Sequence, residues 1–218
     1  MTRQEIRERF RSENPDITDR VITDATLNTW MESADKEICA FTRCIVSNVA
    51  QTFNTVIGTK YYDLTSNISK FYDIDDMPGG GVYYDDLPLK KITIGELNYK
   101  SRGWRTADTG TPRWYFRRGT YLWLHPTPDA VQDVDVDCVL ISDDFDSDSE
   151  TPYNGLTHLE PFHDGISKYL QSRAKQKIGK PEEGAQAKKD YMDYLTWMKK
   201  VVKGYSQSSV YMRVASSA

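Results

Sequence analysis

The segment Gly110-Thr111-Pro112-Arg113-Trp114-Tyr115-Phe116, followed by Tyr121-Leu122-Trp123-Leu124-His125-Pro126-Thr127-Pro128-Asp129, decides how the rest of the chain is read. Two short aromatic-rich runs are joined at Arg118-Gly119-Thr120, the pattern of paired strands around a tight turn. The second run stops at Pro126-x-Pro128, where missing amides cannot continue a ladder. Other extended-pattern runs lie on either side: Gln51 to Ile57, Lys60 to Leu64, Lys70 to Ile74, Val82 to Tyr84, Leu89 to Ile94 and Val131 to Ser142. Short strands punctuated by turns predict a small sandwich or barrel. In the last run Val134, Val136, Cys138 and Leu140 alternate with Asp135, Asp137, Val139 and Ile141, which gives that strand one wet end.

The flanks read differently. Ile6 and Phe10 share one side of a short helix from Thr2 to about Ser12, which Asn14-Pro15-Asp16 breaks. Asp24 or Thr26 is a candidate cap for a helix through residue 45, whose apolar stripe is Leu27, Trp30, Met31, Ala34, Ile38, Phe41 and Ile45. Past the acidic loop Asp143–Glu150, helical spacing returns over 156–178 and 182–203, with Gly179-Lys180-Pro181 closing one helix and opening the next. The fold class is therefore α+β. A helical frame of about four helices, ending in a helical hairpin, carries an inserted antiparallel β-sandwich or barrel-like element. The expected organisation is a helical domain from 1–49 and 156–205, a β-rich insert over 50–155, and an extended tail over 206–218. That tail is Ser-rich, yet Val210, Tyr211, Met212 and Val214 are apolar anchors of the kind that order on a partner.

Composition narrows the function. The 218 residues carry a net charge of −4. From Leu156 onward 11 Lys and Arg stand against 6 Asp and Glu, giving +5, whereas residues 1–155 carry 17 against 26, or −9. Such a split suits two surfaces with different partners, or a solvated helical end. Fourteen Tyr and five Trp suit either a core or an interface. Cys39, Cys44 and Cys138 have no ligand spacing and read as buried thiols in a reducing compartment. Met1–Glu5 is polar, which reads as no signal peptide, and no apolar run is long enough to span a membrane.

Motifs that would carry chemistry are incomplete. His158-x4-His163 with Glu160 and Asp164 is interrupted by Pro161 and suits a polar helix start better than a metal. Asp144-x-Asp146-x-Asp148-x-Glu150 opens like a calcium loop but has Ser149 at the sixth position and Gly155 at the twelfth. Gly79-Gly80-Gly81 lacks the Lys-Ser/Thr of a phosphate loop. His125 has no Ser or Cys near it in sequence. Carboxylate pairs are abundant, but sequence gives them no geometry. The reading is of a non-enzyme with no metal and no cofactor. Arg102, Trp104, Arg105, Arg113, Trp114, Arg117 and Arg118 interleave cations with aromatics, the pattern of a nucleic-acid patch or of strands with outward Arg side chains. Trp104, Trp114 and Trp123 could instead grip carbohydrate or a host-surface polymer.

Three stretches resemble the head-to-tail adaptor (connector) proteins of short-tailed and related tailed bacteriophages. They are the helix from Ile22 to Phe41, the approach to a strand at Tyr84-Asp85-Asp86-Leu87-Pro88-Leu89-Lys90-Lys91-Ile92, and Gly110-x-Pro112-x-x-Tyr115 followed by Leu122-x-Leu124-x-Pro126-x-Pro128. The closing helix pair, with Ala185, Ala187, Tyr191 and Tyr194, is similar as well. The resemblance implies a homo-oligomeric ring, commonly of twelve copies, in the virion neck between portal and tail (nozzle) proteins. It implies assembly in the host cytoplasm and transient passage of genomic DNA through the ring. It also implies a C-terminal segment at the portal, here Val210, Tyr211, Met212, Arg213 and Val214, and loops facing the tail, here Met77, Gly79, Gly80, Gly81 and Phe145.

Overall fold

A computed structural model describes residues 1–47, 50–75, 80–106 and 109–215, with side chains described as far as Gly204. The chain is mixed α+β and divides into two compact units: Met1–Ile45 with Ile141–Ala218, and Val46–Leu140 between them. The acidic loop, read from composition as part of the insert, belongs with the helices.

The helical unit contains α1 (Arg3–Glu13), α2 (Asp24–Thr42), α5 (Asp164–Lys177) and α6 (Pro181–Ala215). Thr2 and Glu5 form a reciprocal capping box on α1. The cap of α2 is Thr23, whose side chain accepts from the Thr26 amide, and not the expected Asp24 or Thr26. Ile6, Phe10, Leu27, Met31, Ile38, Ile166, Leu170, Leu195 and Met198 are buried. The helix expected from residue 156 starts only at Asp164, because Pro161 lacks an amide proton and the chain over Thr157–Phe162 winds as a 3₁₀ turn. Helix α6 outruns the expected 182–203. It takes in residues expected as an extended tail, since no proline interrupts it after Pro181.

Close backbone approach sets the helix crossings. A Cβ on Gly165 would lie 3.1 Å from Tyr194 Cε1 and 3.3 Å from Ile38 Cδ1, so α2, α5 and α6 converge there. A Cβ on Gly184 would lie 2.8 Å from Gln176 Cγ, which fixes the spacing of the α5–α6 hairpin.

Cations hold down the acidic loop. Asp148 pairs with Arg7 at 3.0 Å and Arg3 at 3.1 Å, and Asp144 pairs with Lys36 at 3.0 Å. Hydrogen bonds from Arg7, then Arg3, hold the Asp148 carboxyl below its usual range. Beside the loop, Asp35 on α2 is 1% exposed. It accepts the Ser142 hydroxyl and, at 3.0 Å, the Tyr153 amide. Burial pushes its pKa up to about 6. Tyr153 and Asn154 both sit at positive φ, 57° and 56°, and the buried Tyr153 hydroxyl donates to the Phe162 carbonyl at 3.0 Å.

In the central unit one sheet has the order β1 (Gln51–Asn54), β9 (Asp133–Val136), β4 (Val82–Tyr84), β5 (Leu87–Pro88). A second has the order β2 (Tyr61–Asp63), β8 (Tyr121–His125), β7 (Trp114–Arg118), β6 (Lys90–Lys91), with β6 parallel to β7 and the remaining pairs antiparallel. Strands β3 (Phe71–Ile74) and β10 (Cys138–Leu140) pair separately. One core draws on all three: Phe53, Val82, Val134 and Val136, then Tyr62, Tyr115, Leu122 and Leu124, then Phe71, Ile74 and Cys138. Among the described residues no sheet closes on itself into a barrel. Two short helices, α3 (Leu64–Asn67) and α4 (Ile94–Lys100), complete it. The strand expected over Leu89–Ile94 is only Lys90–Lys91, because a second capping box, Thr93 with Glu96, turns the chain into α4.

The buried carboxylate has a measurable pH signature. The folded state holds the Asp35 proton more tightly than the unfolded chain, so its contribution to stability is full below about pH 4 and lost as pH rises through about 6. His163, with its Nδ1 2.9 Å from the Met1 amino group, is lowered to about 4 by burial first and by that ammonium second, so it slopes the opposite way. Comparison of Asp35→Asn with the unmodified chain therefore isolates the carboxylate. The variant should gain on the parent by about 2–3 kcal/mol between pH 4 and 7, read from urea unfolding at both pH values. Parallel profiles would contradict the assignment.

Candidate functional site

The outer side of the β2–β8–β7–β6 sheet gathers most of the basic and aromatic residues singled out in the sequence. Register puts Tyr61 opposite Trp123, Phe116 opposite Trp123, Arg118 opposite Tyr121 and Trp114 opposite His125, so alternate residues of three strands share this side. Helix α4 and the turn after it lie across it. Trp104 is buried there, its indole nitrogen donating to Asn98 Oδ1 at 2.7 Å. Its ring meets Phe116 edge-on at 5.5 Å and Trp123 at 6.1 Å, while Phe116 and Trp123 stack at 5.5 Å. Trp114, half-buried, stacks on His125 at 5.8 Å. Burial first, and Lys60 second, lower the His125 pKa. Trp104 and Trp123 pack on each other and on Phe116, and Trp114 packs on His125, which leaves Trp104 and the packed faces of Trp114 and Trp123 unavailable as a carbohydrate platform.

Cations ring the aromatic layer. The Arg105 guanidinium lies 5.1 Å over the Trp104 ring, and Lys60 Nζ donates to the Arg105 carbonyl. Arg102, Arg113 and Arg118 are exposed. A shallow cleft of about 180 Å³ is lined by Lys60, Trp104, Arg105, Phe116, Arg118 and Trp123. Arg117 does not belong to this surface. The pleat turns it to the inner side, where it pairs with Asp73, lies 5.1 Å over the Phe71 ring and donates to the Gly119 carbonyl. Its role is to close the sandwich margin. Three members of the patch escaped the sequence reading: Lys60, Tyr61 and Tyr121. Tyr61 and Tyr121 are 50% and 42% exposed and meet edge-on at 5.9 Å. Their signal was the cross-strand register, which needs the pairing of β2 with β8.

The other expected sites are placed as follows. Met77 and Gly79 lie outside the described residues. Gly80 and Gly81 border a recess of about 340 Å³ with Val82, Tyr83, Pro88 and Leu89. A Cβ on Gly80 would fall 2.7 Å from the Asp75 carbonyl, so a side chain there would displace backbone. Phe145 is buried, and its carbonyl accepts from Arg3 at 3.0 Å. It anchors the acidic loop and does not project from it. Val210, Tyr211, Met212, Arg213 and Val214 lie on the backbone of α6, with side chains outside the described residues. Among the described residues no hydroxyl or thiol hydrogen-bonds to a His ring, and no three His, Cys, Asp or Glu side chains are placed to hold a metal.

The aromatic layer is a stability element and its rim is not. Phe116→Ala should cost about 3–5 kcal/mol, since it removes the ring that both indoles rest on, whereas Arg113→Ala should stay within about 0.5 kcal/mol. Chemical denaturation followed by Trp fluorescence measures both. Equal effects would mean that the layer is only loosely packed.

No curated protein matches the chain. A family model described as SU10 adaptor protein matches residues 1–214, and so runs through both compact units and almost the whole sequence. The match covers the opening helices, the paired strands around Gly119 and the closing hairpin together, and the chain belongs to the SU10 adaptor protein family, a family of phage head-to-tail adaptors.

Proposed function

We propose that this chain forms a ring in the neck of a phage virion, between portal and tail proteins, through which the genomic DNA passes. The observation that carries this reading is the family match over residues 1–214, which supports a structural part at the head–tail junction. Twelve copies is the number that the resemblance to connector proteins implies, with assembly in the host cytoplasm. Residues 1–155 carry the excess of carboxylates, and a lining of that sign keeps DNA phosphates from sticking.

Helix α6 has 35 residues against 14 in α5. At 1.5 Å per residue its length is about 50 Å, and α5 can cover less than half of it. Its last buried side chain among those described is Val202. The segment from Val210 to Val214 is therefore the part of the helical unit best suited to engage the portal. The recess beside Gly80 and Gly81 is assigned to the tail side.

Two measurements test this. Light scattering with electron-microscopy class averages, on the chain alone and with its portal, should show closed rings. A chain that stays a single 25.1 kDa copy under both conditions would refute the ring. Removal of residues 206–218 should leave the melting temperature within about 2 °C of the full chain and abolish attachment to the portal. A truncated chain that completes particles normally would show the end of α6 to be passive.

A further inference from the structure

The two main sheets of the central unit share one core, so their outer sides face opposite ways, and those outer sides carry opposite charge. On the β1–β9–β4–β5 sheet Val134 and Val136 point into the core, which leaves Asp133 and Asp135 on the outer side. The β4–β5 turn adds Asp85 and Asp86, both exposed, and Asp129 precedes β9. None of these four strands contains Lys or Arg. The β2–β8–β7–β6 sheet, with α4 and its following turn, has the reverse composition. Lys100, Arg102, Arg105 and Arg118 are exposed there and, among the described residues, none forms an ion pair. The carboxylates described on this side are Asp63 and Glu96, and both cap helices: Asp63 accepts from the Thr65 amide at 3.0 Å, and Glu96 accepts from the Thr93 amide at 2.9 Å.

Each side also has apolar area to bury. The basic side exposes Tyr61 and Tyr121. On the acidic unit margin Leu87, Val56, Ile57 and Val131 are each 59–62% exposed. Apolar patches bordered by unpaired charge have the make-up of a protein interface.

We infer that these two sides are partners: the basic-aromatic side of one copy docks on the acidic side of the next. Charge complementarity selects a second copy as the occupant. A nucleic acid would satisfy the cations and leave Asp85, Asp86, Asp129 and Asp133 unexplained. The contact is heterologous, using two different surfaces of one unit. Surfaces on opposite sides of a subunit propagate head to tail, and a constant rotation per step closes them into a ring. Complementary charge fixes register and suppresses like-with-like docking. This assignment rests on the ring reading and adds which surfaces build it.

The test reverses charge on each side of the full-length chain. One variant carries Arg105→Glu and Arg118→Glu; the other carries Asp129→Lys and Asp133→Lys. Self-association is followed by native mass spectrometry and sedimentation at low ionic strength, alone and on portal particles. Each variant by itself should associate at least about 10-fold more weakly than the parent. A 1:1 mixture should recover the parent's association, because every contact in an alternating assembly is again between opposite charges. That recovery also shows both variants to be folded. Rings that persist in both variants, or variants that fail alone and fail together, overturn the pairing while the ring reading stands. A parent chain that never self-associates overturns the ring itself.

Discussion

The helical unit depends on one buried carboxylate. Its first 45 residues and its last 78 are separated in sequence by the whole insert, and Asp35 is where the returning chain is received. It takes a hydroxyl from Ser142 and an amide from Tyr153, eleven residues apart, and so holds both ends of the acidic loop to one turn of α2. A carboxylate this dry is costly unless its lone pairs are filled. The same cost makes the geometry specific, since neither donor can shift without stranding the acceptor. The rest follows: Tyr153, in a left-handed conformation, sends its hydroxyl to the Phe162 carbonyl just before α5 and sets its ring against His163. Arg3, Arg7 and Lys36 then neutralise a loop that would otherwise repel itself.

In the central unit the inside and outside are set by different rules. Inside, pleat alternation supplies Val, Leu, Phe and Tyr from three sheets to a single core. Outside, one sheet is left polar and acidic, and the other is overlaid by α4 and an aromatic layer with cations at its rim. The Arg side chains of this unit thus divide by parity. Arg118 points outward to solvent, and its neighbour Arg117 points inward, where Asp73 and the Phe71 ring receive it. A one-residue change of register would exchange those roles.

Much of the α+β plan was legible because its signals are local. The stripe from Leu27 to Ile38 predicts a helix in the right place, and the runs at Trp114 and Tyr121 predict a hairpin. Gly179 with Pro181 marks the joint between the closing helices. What failed was local competition and long-range pairing. The Thr93–Glu96 capping box outweighed the extended pattern at Leu89–Ile94, and it was readable as Thr-x-x-Glu. Pro161 delayed α5 for a reason equally visible in the sequence. No local signal could show that Tyr61 lies beside Trp123, that Arg117 faces inward, or that Phe145 is buried, because each depends on a partner 40 or more residues away or on a neighbouring element.

The ends of the insert have a consequence for how the chain is made. Val46 bridges to Val139, and the Ser47 amide donates to the Cys138 carbonyl at 2.8 Å. The central unit thus leaves and rejoins the helical unit at neighbouring strand positions. During synthesis residues 1–45 must wait for their partners, which emerge about 95 residues later. Were that stretch loose, joining α2 to α5 would carry the closure entropy of a long loop, which rises by about 0.6 kcal/mol for every doubling of length. Once the sandwich has formed, its two ends are already side by side, and the helices meet across what is in effect a turn of a few residues. A contiguous insert whose two ends are paired thereby shortens the loop that joining the two halves of the helical unit has to close.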